Sequence, residues 1–423
     1  MTLRTLAAGI VIGYGTVLWW VLRREGRGPL LWVAALTLGA AALRLAYLHQ
    51  YPHAYYEDEL KVLYSAKRFA DTDWVLGTTS SGLPGFLPAM FQGIPYPWIG
   101  QFWAVRGYSM VMSCLCVPLA FAVCRKLGCR VASSMFGAVL FGVLPWALLY
   151  GRVSQGGEFV FHELLVWWAI AAFVAEEESR ASWFAAVLAG AFGMTLLLYS
   201  YPPLRIYWHL AIWLAVACAR TARARLGLLC VAAVAFAAYV PALLHPGTLT
   251  WCGFWRCGYE GLPNEPWGLT LARKIPALLQ ALVEPTAEGG AAHGISAGAV
   301  HPIWLLPLVL LGMLLTGGPA RVRSVLVSGV VWTALPAVTS MHVGISTHQL
   351  LPLFPVISLT TARGLDRLRV TPLAVLLLSI AVTWWSVAFY FSPACWTAVA
   401  EEQFGWCLGP GHGTSADECR PYP

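Results

Sequence analysis

Charged residues are scarce in this sequence. They make up 11% of its 423 residues, whereas hydrophobic residues make up 58%, and a soluble domain carries roughly 25% charged residues. This apolar excess excludes a chain that folds around one core and presents a polar surface to water. The sequence also lacks low-complexity segments and obvious internal repeats. A strong basic stretch before the first apolar run, 6–22, is missing as well, so we expect a retained span there and not a signal peptide.

The apolar runs predict an all-α polytopic membrane protein. A helix needs about 20 apolar residues to cross a bilayer, and runs close to that length predict about 12 transmembrane helices. The 21 Trp and 16 Tyr residues are typical of an aromatic belt at the membrane interface. The predicted spans are 5–22, 29–47, 106–124, 131–150, 158–176, 183–201, 204–219, 226–244, 302–319, 324–341, 347–362 and 371–392.

Basic residues cluster on alternate connections between these spans, which accounts for the net charge of +7 without a nucleic-acid partner. The positive-inside rule places these connections in the cytoplasm. The long loops 48–105 and 245–301 and the tail 393–423 then lie on the external or periplasmic face of a plasma or inner membrane. The basic clusters are Arg23, Arg24 and Arg27; Arg125, Lys126 and Arg130; Arg220, Arg223 and Arg225; Arg321 and Arg323; and Arg363, Arg367 and Arg369.

The external segments carry five cysteines, and disulfides are permitted on that side of the membrane. Cys252 with Cys257, and Cys407 with Cys419, would close the shortest loops, although the sequence leaves the connectivity open. The spacing of Cys252 and Cys257 is a poor zinc pattern because it lacks a second pair.

The first external loop opens with three consecutive acids, Glu57-Asp58-Glu59. Leu60, Leu63, Tyr64 and Lys67 follow at the spacing of one helix face, which places the acids at a helix N-terminus. Two interpretations stay open. The acids cap this helix and interact with its dipole, or Asp58 acts as a general base that removes a proton from a hydroxyl nucleophile.

Two arginines follow external helix ends, Arg152 after Pro145-Trp146 and Arg205 after Tyr199-Ser200-Tyr201. Brought together, they would clamp a phosphate or pyrophosphate. The alternative is that each snorkels to lipid head groups. Asp71 and Asp73 form an Asp-x-Asp pattern, a weak candidate for holding a divalent cation, and a solvated turn explains these residues as well.

These elements occur in the order found in the GT-C superfamily of polyprenyl-phosphate-sugar-dependent glycosyltransferases. The chain resembles the protein O-mannosyltransferase-like and aminoarabinose-transferase type, glycosyltransferase family 39, over roughly residues 30–370. It departs from that group at Gly151, where Ser is usual, and at His348 and Gln349, where an Arg is usual. The matching elements are Pro52 with Asp58-Glu59, Arg106 to Ser109, Pro145-Trp146 with Gly151-Arg152, Tyr199 with Tyr201 and Arg205, and Leu353-Phe354-Pro355 with Gly364-Leu365.

The resemblance implies a GT-C fold with a transmembrane catalytic domain over 1–392, external loops that carry short amphipathic helices, and a Cys-containing tail. It implies inverting transfer of a hexosyl or pentosyl group from a polyprenyl phosphate to a hydroxyl of a glycan, lipid or protein. Asp58 would be the base and Glu59 its neighbour in the site. No cofactor is required, and a divalent cation is compatible. The implied donor-phosphate ligands are Arg152, Arg205, Lys67, Arg68 and His348, and the implied substrate ligands are Tyr201 and Glu57.

Two other classes of function stay open. A transporter or flippase of a lipid-linked or anionic substrate would concentrate charge at Gly- or Pro-broken helices near the midplane, within repeated halves. It would move its substrate without forming a covalent product. A non-catalytic scaffold would leave the glycan profile of the cell unchanged when Asp58 is replaced by Asn.

Overall fold

The fold is seen in a computed structural model, in which every regular element of the described ranges is helical. This agrees with the predicted all-α class. The structure describes residues 3–48, 63, 66–71, 86–126, 128–153, 183–198, 222–243, 272, 275–276, 305, 307–308 and 353–391.

Eleven α-helices and one π-helical turn are numbered below in chain order. A further short helical segment covers residues 66–71. The elements are α1 (Leu3–Leu22), α2 (Arg27–Leu45), α3 (Phe86–Gly93), α4 (Tyr96–Phe102), the π-helical turn (Trp103–Gly107), α5 (Tyr108–Lys126), α6 (Val131–Val143), α7 (Pro145–Tyr150), α8 (Trp183–Leu198), α9 (Ala222–Leu243), α10 (Leu353–Arg367) and α11 (Pro372–Tyr390).

Helices α5 and α6 form the centre of the bundle. Helix α5 packs against α1, α2, α6 and α10, and α6 also packs against α10 and α11. The side chains of Leu119 and Phe121 on α5 and of Phe136 on α6 are fully buried. The outer helices α2 and α11 instead expose large apolar side chains, such as Trp32 at 67% and Trp384 at 76%. An apolar outer surface of this kind suits contact with lipid.

Three helical stretches in the described ranges are long and apolar enough to cross a membrane: Arg27–Leu45, Tyr96–Lys126 and Pro372–Tyr390. The chain is therefore a membrane protein. These stretches correspond to the predicted spans 29–47, 106–124 and 371–392. The span predicted at 106–124 begins earlier than expected, because the chain is already helical from Tyr96. Pro97 lies at the start of α4, where a proline needs no hydrogen-bond partner.

The predicted span 131–150 is two helices rather than one. Helix α6 ends at Val143, and Leu144 adopts an extended conformation with φ −56° and ψ 142° before α7 begins at Pro145. Proline disfavours the helical conformation in the residue before it, and it has no N–H to donate. The break is therefore written into the sequence, and it frees backbone carbonyls near the end of α6.

At one end of the bundle, ion pairs join the basic connections. Arg125 Nε lies 3.0 Å from Glu25 Oε1, and Arg130 Nε lies 2.8 Å from Asp366 Oδ1. These contacts tie the α1–α2 connection to α5, and the start of α6 to the end of α10. The basic connections predicted to share one side therefore meet in space, and the assignment of that side to the cytoplasm stays a prediction.

Several predictions fall outside the described residues. These are the spans 158–176, 204–219 and 324–341, nearly all of span 302–319 and of loop 245–301, the tail 393–423 with its cysteines, and hence the number of transmembrane helices. Among the described residues, α8, α9, α10 and α11 lie close to the predicted spans 183–201, 226–244, 347–362 and 371–392.

Candidate functional site

Three arginines lie buried at the end of the bundle opposite the ion pairs. Arg44 comes from the last turn of α2, Arg106 from the π-helical turn, and Arg152 from the segment just after α7. Each is 0% exposed. Burying a guanidinium is costly unless hydrogen bonds or an anion compensate for the lost water. The role of each arginine therefore depends on the groups that its side chain contacts.

Arg44 is compensated by the protein itself. The hydrogen bonds from its side chain account for all five N–H groups of a guanidinium. The acceptors are Ser113 Oγ for Nε (2.8 Å), Ala40 O (3.0 Å) and Gly142 O (2.8 Å) for Nη1, and Phe141 O (3.1 Å) and Ala147 O (3.1 Å) for Nη2. Arg44 thus joins α2 to α5, α6 and α7.

Two of the four carbonyls that Arg44 binds, Phe141 O and Gly142 O, are those that the break at Pro145 releases. Pro145 cannot donate to Phe141 O, four residues earlier, and the extended Leu144 turns the following N–H groups away from Gly142 O. Arg44 supplies the missing donors for both carbonyls. It replaces, with one side chain, hydrogen bonds that a continuous helix would make.

Gly151 allows this approach. A Cβ at this position would lie 2.7 Å from Ser113 Oγ and 2.8 Å from Ala147 O, and it would also collide with Arg44 Nε. The Gly at the place where the resemblance expects Ser is therefore required by the buried arginine beside it. Arg152 follows directly, so the packing of Arg44 fixes where Arg152 begins.

Arg152 is compensated only in part. Its Nη1 donates to Leu43 O at 3.1 Å, and its guanidinium carbon lies 5.5 Å from the centre of the Tyr390 ring and 5.3 Å from that of Phe391. Within the described part of the chain, Nε and Nη2 have no hydrogen-bond partner. Two of the three nitrogens of a buried cation are therefore left for an acceptor that the described residues do not supply.

Neighbouring positive charges make the burial of Arg152 still less favourable. Arg152 lies beyond the predicted span 131–150, and burial is the main cause that lowers the pKa of its guanidinium. Tyr390 raises this pKa, whereas the positive charges of Arg106 and Arg44 lower it further. Arg152 is thus repelled by each of the other two arginines. An anion bound beside Arg152 would relieve the repulsion and satisfy the two nitrogens together.

Arg106 lies on an unusual element. The turn Trp103–Gly107 has π-helical hydrogen bonding, and π-helical turns are frequent at functional sites because they redirect side chains. Just upstream, Gly100 has a positive φ of 74° inside α4. The Arg106 guanidinium carbon lies 5.7 Å from the centre of the Phe102 ring. The kink and the π-helical turn together bring a third cation to the buried end of α5.

The predicted phosphate ligands that the structure describes differ in their burial. Arg152 is buried, which does not fit the snorkelling alternative, because a snorkelling head group lies exposed at the interface. Lys67 and Arg68 are exposed, as is the metal candidate Asp71, whereas Ala66 and Phe69 of the same segment are buried. This segment therefore buries its apolar face and exposes its charged side chains.

The remaining predicted site residues lie outside the described residues, so their distances to Arg152 stay predictions. The described ranges hold no cluster of three or more His, Cys, Asp or Glu side chains that would bind a metal ion. The predicted residues outside these ranges are Glu57, Asp58, Glu59, Asp73, Tyr201, Arg205 and His348.

Sequence reasoning overlooked Arg44, and it used Arg106 only as part of a motif. A signal for Arg44 was present: it is the one charged residue in the predicted span 29–47, and ionisable residues within membrane spans usually have a buried partner or a function. What the sequence could not show was which carbonyls Arg44 would bind.

Fold and site together define a helical membrane protein with a buried cationic site at one end. No known family matches the sequence, and no curated protein is significantly similar to it. Among solved structures, the chain is similar to ArnT from Cupriavidus metallidurans in the apo state, with a TM-score of 0.54 and 12% identity over 83% of this chain and 62% of ArnT. It is also similar to the S. cerevisiae protein O-mannosyltransferase Pmt1-Pmt2 complex bound to the sugar donor, with a TM-score of 0.43 and 18% identity over 56% of this chain and 36% of that one.

The likeness to ArnT shows that this chain has the GT-C fold, which confirms the fold that the sequence resemblance implies. The chain spans less than two thirds of the length of either similar structure. Fold alone does not fix activity.

Proposed function

We propose that this protein is a membrane glycosyltransferase that moves a hexosyl or pentosyl group from a polyprenyl phosphate to a hydroxyl acceptor on the external face of the membrane. The observation that carries the proposal is the state of Arg152. Its guanidinium is fully buried, and its Nε and Nη2 are unpaired among the described residues. The GT-C fold supports it.

The phosphate of the donor satisfies Arg152 better than a neutral ligand. A phosphate oxygen accepts charge-assisted hydrogen bonds from two guanidinium nitrogens at once. Its negative charge also offsets the repulsion of Arg152 by Arg106 and Arg44. The exposed apolar faces of α2 and α11 flank this end of the bundle, so a polyprenyl tail can remain in lipid while its phosphate enters the protein.

In the proposed reaction, Asp58 accepts the proton of the acceptor hydroxyl as that oxygen attacks the anomeric carbon. The bond from this carbon to the phosphate oxygen breaks, and its electron pair leaves with the polyprenyl phosphate. Arg152 stabilises the charge that develops on the phosphate. Attack from the face opposite the leaving group inverts the configuration at the anomeric carbon. Glu59 orients Asp58 or binds sugar hydroxyls, and Arg205 is proposed to join Arg152 at the phosphate.

The test is mass analysis of glycans and glycolipids from cells that express the wild type or Asp58→Asn. The mutant should be folded and abundant, and one sugar should be lost from one acceptor. Glu25→Gln changes an acid at the opposite end of the bundle and should leave the profile intact. Identical profiles for the wild type and a folded Asp58→Asn variant would exclude catalysis by Asp58. Movement of a lipid-linked substrate without a covalent product would instead support the transporter alternative.

A further inference from the structure

A second unsatisfied polar group lies in the loop region between α2 and α5. Gln92 on α3 is 0% exposed, and neither Oε1 nor Nε2 has a hydrogen-bond partner within the described part of the chain. Burying an amide without hydrogen-bond partners is unfavourable. A leucine at this position would avoid that cost, so the amide calls for a ligand.

Helix α3, which carries Gln92, packs on the segment that follows the acid triplet in the chain. Ala89 precedes Gln92 by one helical turn and is also fully buried. The next residue, Gly93, packs closely on the segment 66–71, since a Cβ there would lie 2.7 Å from both Ala66 O and Phe69 Cδ1. That segment follows the acids 57–59 in the chain. The buried face of α3 therefore adjoins the segment that leads from the proposed base.

Helix α3 also contacts the π-helical turn that carries Arg106, as well as α1 and α4. Phe91, the residue before Gln92, stacks on Tyr108 at the start of α5, with ring centres 5.9 Å apart. Helix α3 is thus held between the segment that follows the acids and the turn that presents one of the buried cations.

We propose that the Gln92 side chain binds a pair of neighbouring hydroxyls of the donor sugar. This inference rests on the proposed function, in which the sugar lies between the base and the phosphate. A primary amide offers one acceptor oxygen and two N–H donors. Neighbouring sugar hydroxyls both donate and accept, so one amide can satisfy the pair and be satisfied by it. Gln92 is then a specificity-determining residue that distinguishes sugars by the arrangement of these hydroxyls.

The experiment measures thermal stabilisation of the purified protein by two kinds of probe. One is decaprenyl phosphate, which reports the phosphate site alone. The others are decaprenyl phosphates that carry mannose, glucose or arabinose, which report the phosphate and the sugar together. In the wild type, one of the three sugars should raise the melting temperature above the value with decaprenyl phosphate. Gln92→Leu should keep the shift caused by decaprenyl phosphate and lose most of the sugar increment.

The matched control is Gln101→Leu, which makes the same change at a partly exposed glutamine on α4 and should keep both shifts. Without ligand, Gln92→Leu should be as stable as the wild type or more stable, because it removes an unpaired buried amide. A lower melting temperature for both Gln92→Leu and Gln92→Met, or a failure of both variants to fold, would show that the amide supports the fold and would overturn the inference.

The outcomes separate the two proposals. If decaprenyl phosphate stabilises the wild type but Gln92→Leu keeps the full sugar increment, or if no sugar adds an increment, the assignment of Gln92 is wrong and the phosphate site stands. If decaprenyl phosphate does not stabilise the wild type at all, the proposed function fails, and the inference fails with it.

Discussion

Replacing Arg44 with methionine is expected to lower the stability of the bundle by about 3 kcal/mol. The substitution keeps a long side chain but removes five hydrogen bonds, four of which join α2 to α5, α6 and α7, while the fifth, to Ala40 O, lies within α2. A side-chain hydrogen bond between membrane helices contributes about 0.6 kcal/mol on average, so the four interhelical bonds give about 2.4 kcal/mol, and the bond within α2 brings the sum close to this figure. A second estimate of the stability loss comes from the Phe141 and Gly142 carbonyls, which lose their donor in the variant. At about 1–3 kcal/mol for each buried unpaired group, this estimate has the same order of magnitude.

The measurement is thermal unfolding of the purified protein in detergent, followed by tryptophan fluorescence. At roughly 2 °C per kcal/mol for a large chain, Arg44→Met should melt about 6 °C below the wild type. Arg44→Lys should fall between the two, because an ammonium cannot reproduce the planar fork. Thr37→Val is the matched control, since Thr37 donates only within α2, to Val33 O at 2.8 Å. If Arg44→Met melts with the wild type, Arg44 does not hold the break at Pro145, and our explanation of that break is wrong.

Two further predictions concern the ends of the bundle. Gly151→Ala should destabilise the protein by about 1–3 kcal/mol, because the new Cβ would lie 2.7 Å from Ser113 Oγ. Gly142→Ala is the control: a Cβ there would lie 3.5 Å from Ala40 Cβ, so this change should have little effect in the same melting assay. At the other end, beyond the predicted span 347–362, burial raises the pKa of Asp366, but hydrogen bonds from the Arg130 N–H and guanidinium, with the charges of Arg130 and Arg363, outweigh it and leave this pKa lowered. The stabilisation from Asp366 is therefore present above its unfolded pKa of about 3.9 and is lost as the pH falls through the lower folded value. As the pH falls below about 4, the melting temperature of the wild type should drop more than that of Asp366→Asn, and equal drops would contradict this role for Asp366.

The sequence predicted the long helices well, because an apolar run of bilayer length leaves the chain few alternatives. It was less informative where a local preference competes with that pattern. Leu144 and Pro145 lie inside one apolar run, and hydropathy alone joins α6 to α7, although proline disfavours a continuous helix there. Residues 96–105 belong to the predicted external loop 48–105, yet they form α4 and the start of the π-helical turn, which continue directly into α5.

For the site, the sequence identified Arg152 from its place after a helix end and from the resemblance, and the structure buries it with two nitrogens that have no partner among the described residues. Arg44 was overlooked because four of its five hydrogen-bond partners are backbone carbonyls, which have no signature in the sequence. Gln92 is a neutral residue that the sequence places in the loop 48–105 among apolar neighbours, and only its burial without partners among the described residues sets it apart. The pairing of Arg152 with Asp58 and Arg205 stays a prediction, since both of these residues lie outside the described residues.

The most direct test of the central claim is the stabilisation of Arg152→Met by decaprenyl phosphate. Without ligand, this variant should melt within about 2 °C of the wild type, since it loses one hydrogen bond to Leu43 O but also a buried charge with two unpaired nitrogens. The ligand should stabilise the wild type and leave Arg152→Met nearly unchanged. An equal ligand-induced shift in both proteins would contradict the account, because the phosphate would then bind without the buried guanidinium.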